Sequence, residues 1–291
     1  MKAAPFSYLR PESVAEALQL LDRHDGAARV LAGGQSLMPM LQMRLMQPAA
    51  LIDINRLPEL ATIRAEGPVT VIGALTRYAE LERSPIVAER LPLLACAVAY
   101  VGDLQVRNRG TLGGSLAQAD PTGEMPLACL VLGATVVAAS ASGTREISME
   151  DFLVGSYATA LEPEEMITEV RFPVSPDRFA FLERNRKHND FAIITVAVAG
   201  RRDDDSDGWS DVRIGLGGVH DHPLLAHDAQ RLLDGSALED ELIAEAARRA
   251  ADGVDPPSDI RATAEYRRHL VRVYVRRALT ALRDDNGGAC A

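Results

Sequence analysis

The chain reads as a succession of short amphipathic segments whose period switches between that of a helix and that of a strand. Val14, Ala17, Leu18 and Leu21 recur at helical spacing behind Ser13, and Glu16 holds the capping-box position, so VAEALQLLDRH predicts a helix ended near Gly26. ARVLAGG predicts a short buried strand running into a glycine turn. LMPMLQMRLMQP predicts a helical turn stopped by Pro48, and ALIDINRL a second strand, which makes the first 60 residues an α/β unit. VTVIGALT alternates as a strand does, and Pro92 opens an apolar helix, LLACAVAYVG, closed by Gly102. DLQVRNRGTLGGSLAQADPTGEMP is punctuated by glycine and proline and predicts no single regular element. LACLVLGATVVAAS returns to helix followed by strand, and EISMEDFLVG and MITEVRFP predict further short elements.

The texture changes at Pro173–Pro176. AFLERNR, FAIITVAVAGRR and WSDVRIGLGGV then predict antiparallel strands, with RRDDDSDGWS as a charged turn and Gly215–Gly218 as a bulge or turn. LEDELIAEAARRAA and AEYRRHLVRVYVRRALTAL predict helices; in the second, Leu270, Tyr274, Ala278 and Leu282 share one face and Arg268, Arg272 and Arg276 another, a solvated or subunit-facing stripe. Residues 1–175 form one expected domain, 176–285 a smaller one and 286–291 a loose tail. A length of 291 residues agrees with two domains at roughly 150 residues each.

Composition removes several classes of function. No run of roughly 18 apolar residues exists to span a membrane, and MKAAPFSYLRPESVAEAL lacks an apolar signal core, so a cytoplasmic protein is expected. The 31 basic and 41 acidic side chains leave a net charge of −10, which speaks against a nucleic-acid partner. Cys96, Cys129 and Cys290 are widely spaced, form no C-x-x-C pair and predict no disulfide framework. Cys96 and Cys129 lie in apolar runs as packed thiols, and a reducing compartment is expected. The histidines His24, His188, His220, His222, His227 and His269 include an H-D-H run read as a polar surface turn, and no metal site is expected.

Two glycine-rich segments carry candidate chemistry. One is Ala32-Gly33-Gly34-Gln35-Ser36-Leu37, straight after a predicted strand; the other is Gly110-Thr111-Leu112-Gly113-Gly114-Ser115. Glycine admits positive φ and close approach of a ligand to the backbone, and successive N–H groups in such a turn converge on an anion. Ser36, Thr111 and Ser115 add hydroxyl donors. The pair suits a pyrophosphate held between two loops. Neither segment is a Walker A or a G-x-G-x-x-G motif, and each Gly-Gly taken alone could be a tight turn.

Taken together and in order, L-A-G-G-Q-S-L-M-P, R-N-R-G-T-L-G-G-S and A-D-P-T-G-E-M-P resemble the FAD-binding medium subunit of molybdenum hydroxylases, the family of bacterial carbon monoxide dehydrogenase and xanthine dehydrogenase flavoproteins. E-P-E-E-M-I-T-E-V-R-F-P at 162–173 and N-D-F-A-I-I-T-V-A at 189–197 extend the resemblance over nearly the whole chain. It implies an α+β fold: a two-lobed FAD-binding domain of the PCMH/vanillyl-alcohol-oxidase-like type, then an antiparallel sheet with helices. It also implies that the backbone amides of Ala32, Gly33, Gly34, Gln35, Ser36 and Leu37, and of Thr111, Leu112, Gly113, Gly114 and Ser115, hold the FAD pyrophosphate. Glu124, with Asp120 as the alternative, would take the nucleotide ribose. Val101 and Gly102 would line the flavin, and Ile167 would meet the cofactor through its main chain. The chain would pass electrons from a small partner subunit carrying [2Fe–2S] clusters to an external acceptor, while a large molybdopterin subunit hydroxylates the substrate.

The chain departs from the family pattern twice. Gln35 stands where many bacterial relatives have histidine. Others carry a lysine near the position of Leu182 or Glu183, by the flavin pyrimidine ring; here Lys187 is the nearest, with Arg184 and Arg186 as other candidate cations. Two further functions remain open at this point, a self-contained FAD-dependent oxidase and a cofactor-free assembly module.

Overall fold

The computed structural model describes every residue except 1, 177, 188, 204–207, 285–287 and 291. His188 and the middle of the expected charged turn thus lie outside the described residues.

The first lobe is the expected α/β unit. Strands Ser7–Leu9, Ala50–Asp53 and Ala28–Leu31 form a parallel sheet with Ala50–Asp53 in the middle. Helix Val14–Arg23 connects two of them, and Ala17 and Leu21 are its buried contacts with the sheet. Ser13 caps it by accepting from the Glu16 amide at 3.2 Å, while the Glu16 carboxylate reaches back to the Glu12 amide at 2.7 Å. The second lobe holds a five-stranded antiparallel sheet in the order Ile63–Glu66, Val69–Gly73, Met166–Phe172, Thr135–Ser140, Gly143–Ser148. Helices Pro92–Val98 and Glu124–Val131, both nearly wholly apolar, are buried at its centre.

The punctuated stretch 103–126 is more regular than expected. It forms helices Leu104–Arg109 and Leu112–Gln118 and leads into the helix at Glu124. Asp103 and Thr111 each cap a helix by accepting an amide three residues on, and Gly110 breaks the two apart.

In the second half, strands Arg178–Arg184, Ile194–Arg202 and Trp209–Gly217 pair antiparallel as expected. Their side chains alternate between two cores. Phe179, Phe181, Ala197 and Ala199 pack toward the helix Glu124–Val131. Ala180, Leu182, Ile194, Val196, Val198, Ile214 and Leu216 pack against helices His227–Leu233, Asp240–Asp252 and Ala264–Asp284. Gly215 is not a bulge but a point of close packing: a Cβ there would lie 2.3 Å from Val131 and 2.8 Å from Leu127. Gly218, with φ of 75°, makes the turn after the strand.

Two expectations fail at the C-terminus. Ala289–Cys290 is no loose tail but a short strand parallel to Arg178–Arg184. Cys290 forms a disulfide with Cys96, 194 residues earlier, with a Cα–Cα separation of 6.0 Å. Cys96 is thus not a packed thiol, whereas Cys129 is free and buried as expected. Sequence spacing hid the pair because the tail returns to the helix Pro92–Val98 across the sheet edge. The expected reducing compartment rested on that spacing and loses its support.

Candidate functional site

The two glycine segments meet. A Cβ on Gly33 would lie 2.2 Å from the Arg109 carbonyl oxygen and 3.0 Å from the Gly110 Cα, so only glycine permits this approach. A Cβ on Gly114 would lie 3.9 Å from the Ala32 side chain. Gly34, with φ of 72°, turns the first segment away from its strand. Among the described residues, the N–H groups of Gly34, Gln35 and Ser36 find no acceptor, and the Ser36 hydroxyl makes no capping bond. The Gln35 amide folds back onto the Gly33 carbonyl at 3.3 Å.

The second segment differs from expectation. Leu112 donates to the Thr76 carbonyl at 3.1 Å and Gly113 to the Ala74 carbonyl at 2.9 Å. The Gly114 amide donates to the Thr111 hydroxyl, and Ser115 to the Thr111 carbonyl at 3.0 Å. These four amides are committed within the chain and are not an open cradle for phosphate. The reason is that Thr111 caps a helix whose first turn is Leu112 to Ser115. Gly113 is glycine because a Cβ would lie 2.6 Å from Ala74.

A polar network that periodicity does not reveal ties the segments together. Tyr8 donates to Asp53, Asp53 accepts from Asn55, and Asn55 donates to the Ala32 carbonyl at 2.9 Å. Arg77 donates to the Asn55 side-chain oxygen and to the Arg109 carbonyl. Burial, and then the Arg109 charge, pull the Arg77 guanidinium below its usual value. A cleft of about 560 Å³ opens here, lined by Tyr8, Gly33, Gly34, Gln35, Asn55 and Arg109 among others.

The remaining candidates fall into two places. Val101 and Gly102 follow the helix Pro92–Val98, and their carbonyls accept from Arg107 at 3.3 and 3.0 Å. Ile167 is buried beside a strand irregularity at Thr168, whose carbonyl accepts from Ala74 at 2.9 Å. Asp120 binds the Thr122 amide and hydroxyl, each at 2.8 Å, and Tyr157 at 3.3 Å. Burial, and then the Asp120 charge, push the Glu124 carboxyl up to about 7. Burial, and then the Glu124 charge, push Glu183 up to about 8. The structure thus sets an acid against Glu124. Lys187 lies exposed on the turn after the strand, where its carbonyl accepts from Asp190 at 3.2 Å. His220 and His222 flank Asp221 on the surface, both hydrogen-bonded to its carboxylate.

These features fit a dinucleotide. Open amides and the Ser36 hydroxyl stand beside Arg109, a donor set that suits a phosphate, and Glu124 and Glu183 form a second group of buried carboxyls pushed up in pKa. Among the described residues, the buried atoms Glu183 Oε2, Thr195 Oγ1 and Arg267 Nε have no hydrogen-bond partner.

Residues 4–175 match the FAD binding domain in molybdopterin dehydrogenase, and 179–282 the CO dehydrogenase flavoprotein C-terminal domain. The chain belongs to this family of FAD-binding medium subunits. It is 38% identical to the glyceraldehyde dehydrogenase medium chain of Sulfolobus acidocaldarius, over 94% of this chain and 96% of that one. It is 40% identical to the 6-hydroxypseudooxynicotine dehydrogenase complex subunit alpha of Paenarthrobacter nicotinovorans, over 96% and 95%. Among solved structures, a chain of carbon monoxide dehydrogenase from Hydrogenophaga pseudoflava superposes with a TM-score of 0.94 at 40% identity, over 97% of this chain and 98% of that one. The medium subunit is accordingly an FAD-binding component of a dehydrogenase, with the α+β architecture described above. No helix among the described residues is long and apolar enough to cross a membrane.

Proposed function

We propose that this medium subunit is the electron-output component of a three-subunit molybdenum hydroxylase. A small partner would carry [2Fe–2S] clusters, and a large partner would hold molybdopterin and the substrate. The observation that carries the reading is the interlock of Gly33 with Arg109–Gly110, which leaves the Gly34, Gln35 and Ser36 amides without acceptors beside a cleft. Bound FAD supplies two-electron chemistry with release to an acceptor; the chain supplies grip and electrostatics. Three cysteines, two of them paired, cannot ligate iron–sulfur clusters, so these belong to a partner. Relatives named for glyceraldehyde and for 6-hydroxypseudooxynicotine match this chain over nearly its whole length, which supports a substrate bound by a partner subunit.

Within the chain, the Gly34–Ser36 amides and the Ser36, Thr111 and Ser115 hydroxyls take the pyrophosphate. Glu124 takes the ribose diol, with Asp120 bracing the adjoining turn. Val101–Gly102 and the Ile167 main chain border the cofactor. The two domains divide near residue 175. A cytoplasmic location is compatible with this role.

The deciding experiment compares the assembled complex with and without FAD. Without it, substrate should still reduce the molybdenum and iron–sulfur centres, while electron delivery to a dye acceptor stops. Clusters that stay oxidised would place the flavin ahead of them and overturn the output role.

Glu124→Ala should weaken FAD by roughly 10- to 100-fold, from the ~1.5–3 kcal/mol of hydrogen bonds to a charged group. FMN, which lacks the adenosine ribose, should bind the variant and the wild type alike in a fluorescence titration. Equal losses for both ligands would remove Glu124 from the ribose.

A further inference from the structure

The strand Trp209–Gly217 ends in a turn that carries His220, Asp221 and His222 in succession. In an extended strand the middle residue of such a run points away from its two neighbours. Here Gly218, with φ of 75°, takes the chain out of the strand, and the three side chains meet. The Nδ1 atoms of His220 and His222 lie 2.5 and 2.6 Å from the same Asp221 carboxylate oxygen, Oδ1. The two rings stand nearly perpendicular, at 84° with centres 5.3 Å apart, so both reach the carboxylate without stacking on each other. All three ligand-type atoms lie within 4.8 Å of one another.

The backbone of this turn is held from both ends and from the side. The Gly218 amide donates to the Pro121 carbonyl at 2.8 Å, and the Gly218 carbonyl accepts from buried Arg267 at 2.9 Å. Pro223, directly after His222, is buried. The Ser156 hydroxyl, from the hairpin of strands Leu153–Gly155 and Ala158–Thr159, donates to the Asp221 carbonyl at 2.9 Å. The three side chains themselves are only partly covered, which leaves room for water around them. A rigid backbone beneath converging donors is what a preorganised site requires.

We propose that His220, Asp221 and His222 bind a divalent transition-metal ion through the two Nδ1 atoms and the Asp221 carboxylate, with water completing its shell. Two imidazoles and a carboxylate suit Zn²⁺, Cu²⁺ or Ni²⁺, whereas Ca²⁺ and Mg²⁺ take oxygen ligands. A tetrahedral zinc ion about 2.1 Å from each ligand sets its ligand atoms about 3.4 Å apart. The carboxylate backs away slightly and the rings close in, which partly exposed side chains manage by rotation alone. A carboxylate only accepts, so each Nδ1 carries a proton before the ion arrives. Binding moves that proton to Nε2 and leaves each ring neutral. None of the three residues lines the cleft beside Gly33, so the site is independent of the FAD reading. Through Ser156 the ion braces the contact between the second half of the chain and the hairpin of the first.

The test titrates metal-free, untagged full-length chain with zinc chloride by calorimetry near neutral pH. The wild type should bind a single ion per chain in the micromolar range. His220→Gln and His222→Gln keep a donor for Asp221 and lose the imidazole. Each should weaken zinc by at least the roughly 10- to 100-fold that even an outer-shell partner of a metal is worth. His227→Gln is the control, because that ring pairs with Glu150 at 2.9 Å outside the cluster, and it should leave zinc affinity unchanged. With Cu²⁺ in place of zinc, the electron paramagnetic resonance spectrum should show coupling to two imidazole nitrogens in the wild type and to one in each single variant. An ion bound only by the folded chain stabilises it, so zinc should raise the melting temperature of the wild type and not of His220→Gln/His222→Gln. Zinc that binds only at millimolar concentration, or binds the double variant as well as the wild type, would be an adventitious ion only and would overturn the site. A copper spectrum without imidazole coupling would do the same.

Discussion

Gly33→Ala should leave the purified protein largely colourless. The added methyl would sit 2.2 Å from the Arg109 carbonyl oxygen and 2.9 Å from its carbonyl carbon. Both are backbone atoms, and that carbonyl is also gripped by Arg77, so no side chain can swing away to make room. The two segments must part. Overpacking of this kind costs about 1–3 kcal/mol. The FAD site depends on the same approach, so a comparable loss in binding is a fall of roughly 10- to 100-fold in affinity. The ratio of flavin to protein absorbance and a thermal melt measure the two effects. Gly155→Ala is the control, because its Cβ meets nothing closer than 3.8 Å. Wild-type flavin content in Gly33→Ala would show that the interlock does not shape the site.

Cys290→Ser should lower the melting temperature by roughly 5–15 °C under oxidising conditions. The Cys96–Cys290 bond closes a loop with a sequence separation of 194 residues, and it joins the helix Pro92–Val98 to the strand at the far end of the chain. A loop this long removes much entropy from the unfolded chain, and loss of such a bond typically costs about 2–5 kcal/mol. For a protein of this size each kcal/mol moves the midpoint by about 2–4 °C. Alkylation and mass spectrometry would confirm that both thiols are protected in the starting protein. Under reducing conditions the variant and the wild type should melt together. A wild-type midpoint that does not respond to reductant would mean that the link adds nothing to stability.

Much of the fold was legible because the elements are locally consistent. The Ser13-capped helix, the strand at Ala28–Leu31 and the antiparallel strands of the second half each carry their own period and their own stop signals. The first glycine segment was legible for the same reason, since a positive φ at Gly34 is a local demand. The second was half legible. Its glycines stood out, but Gly113 answers to Ala74 and the Leu112 amide to Thr76, neighbours that no local pattern names.

The sequence by itself determined where many of the helices and strands run and, through its motifs, the family and its cofactor. Those properties depend on residues within a turn or two of each other, or on strings that can be matched as they stand. Only the tertiary structure decided that Arg77 bridges Asn55 and the Arg109 carbonyl, that Cys290 finds Cys96, and that Glu183 faces Glu124. It also decided that Arg267, one residue from the solvated arginine stripe, is buried and holds the Gly218 carbonyl at 2.9 Å. Each of these contacts joins residues at least 22 positions apart. Their partners are set by how layers pack and by which buried charges and polar atoms need satisfaction, and these are properties of the folded molecule that periodicity does not encode.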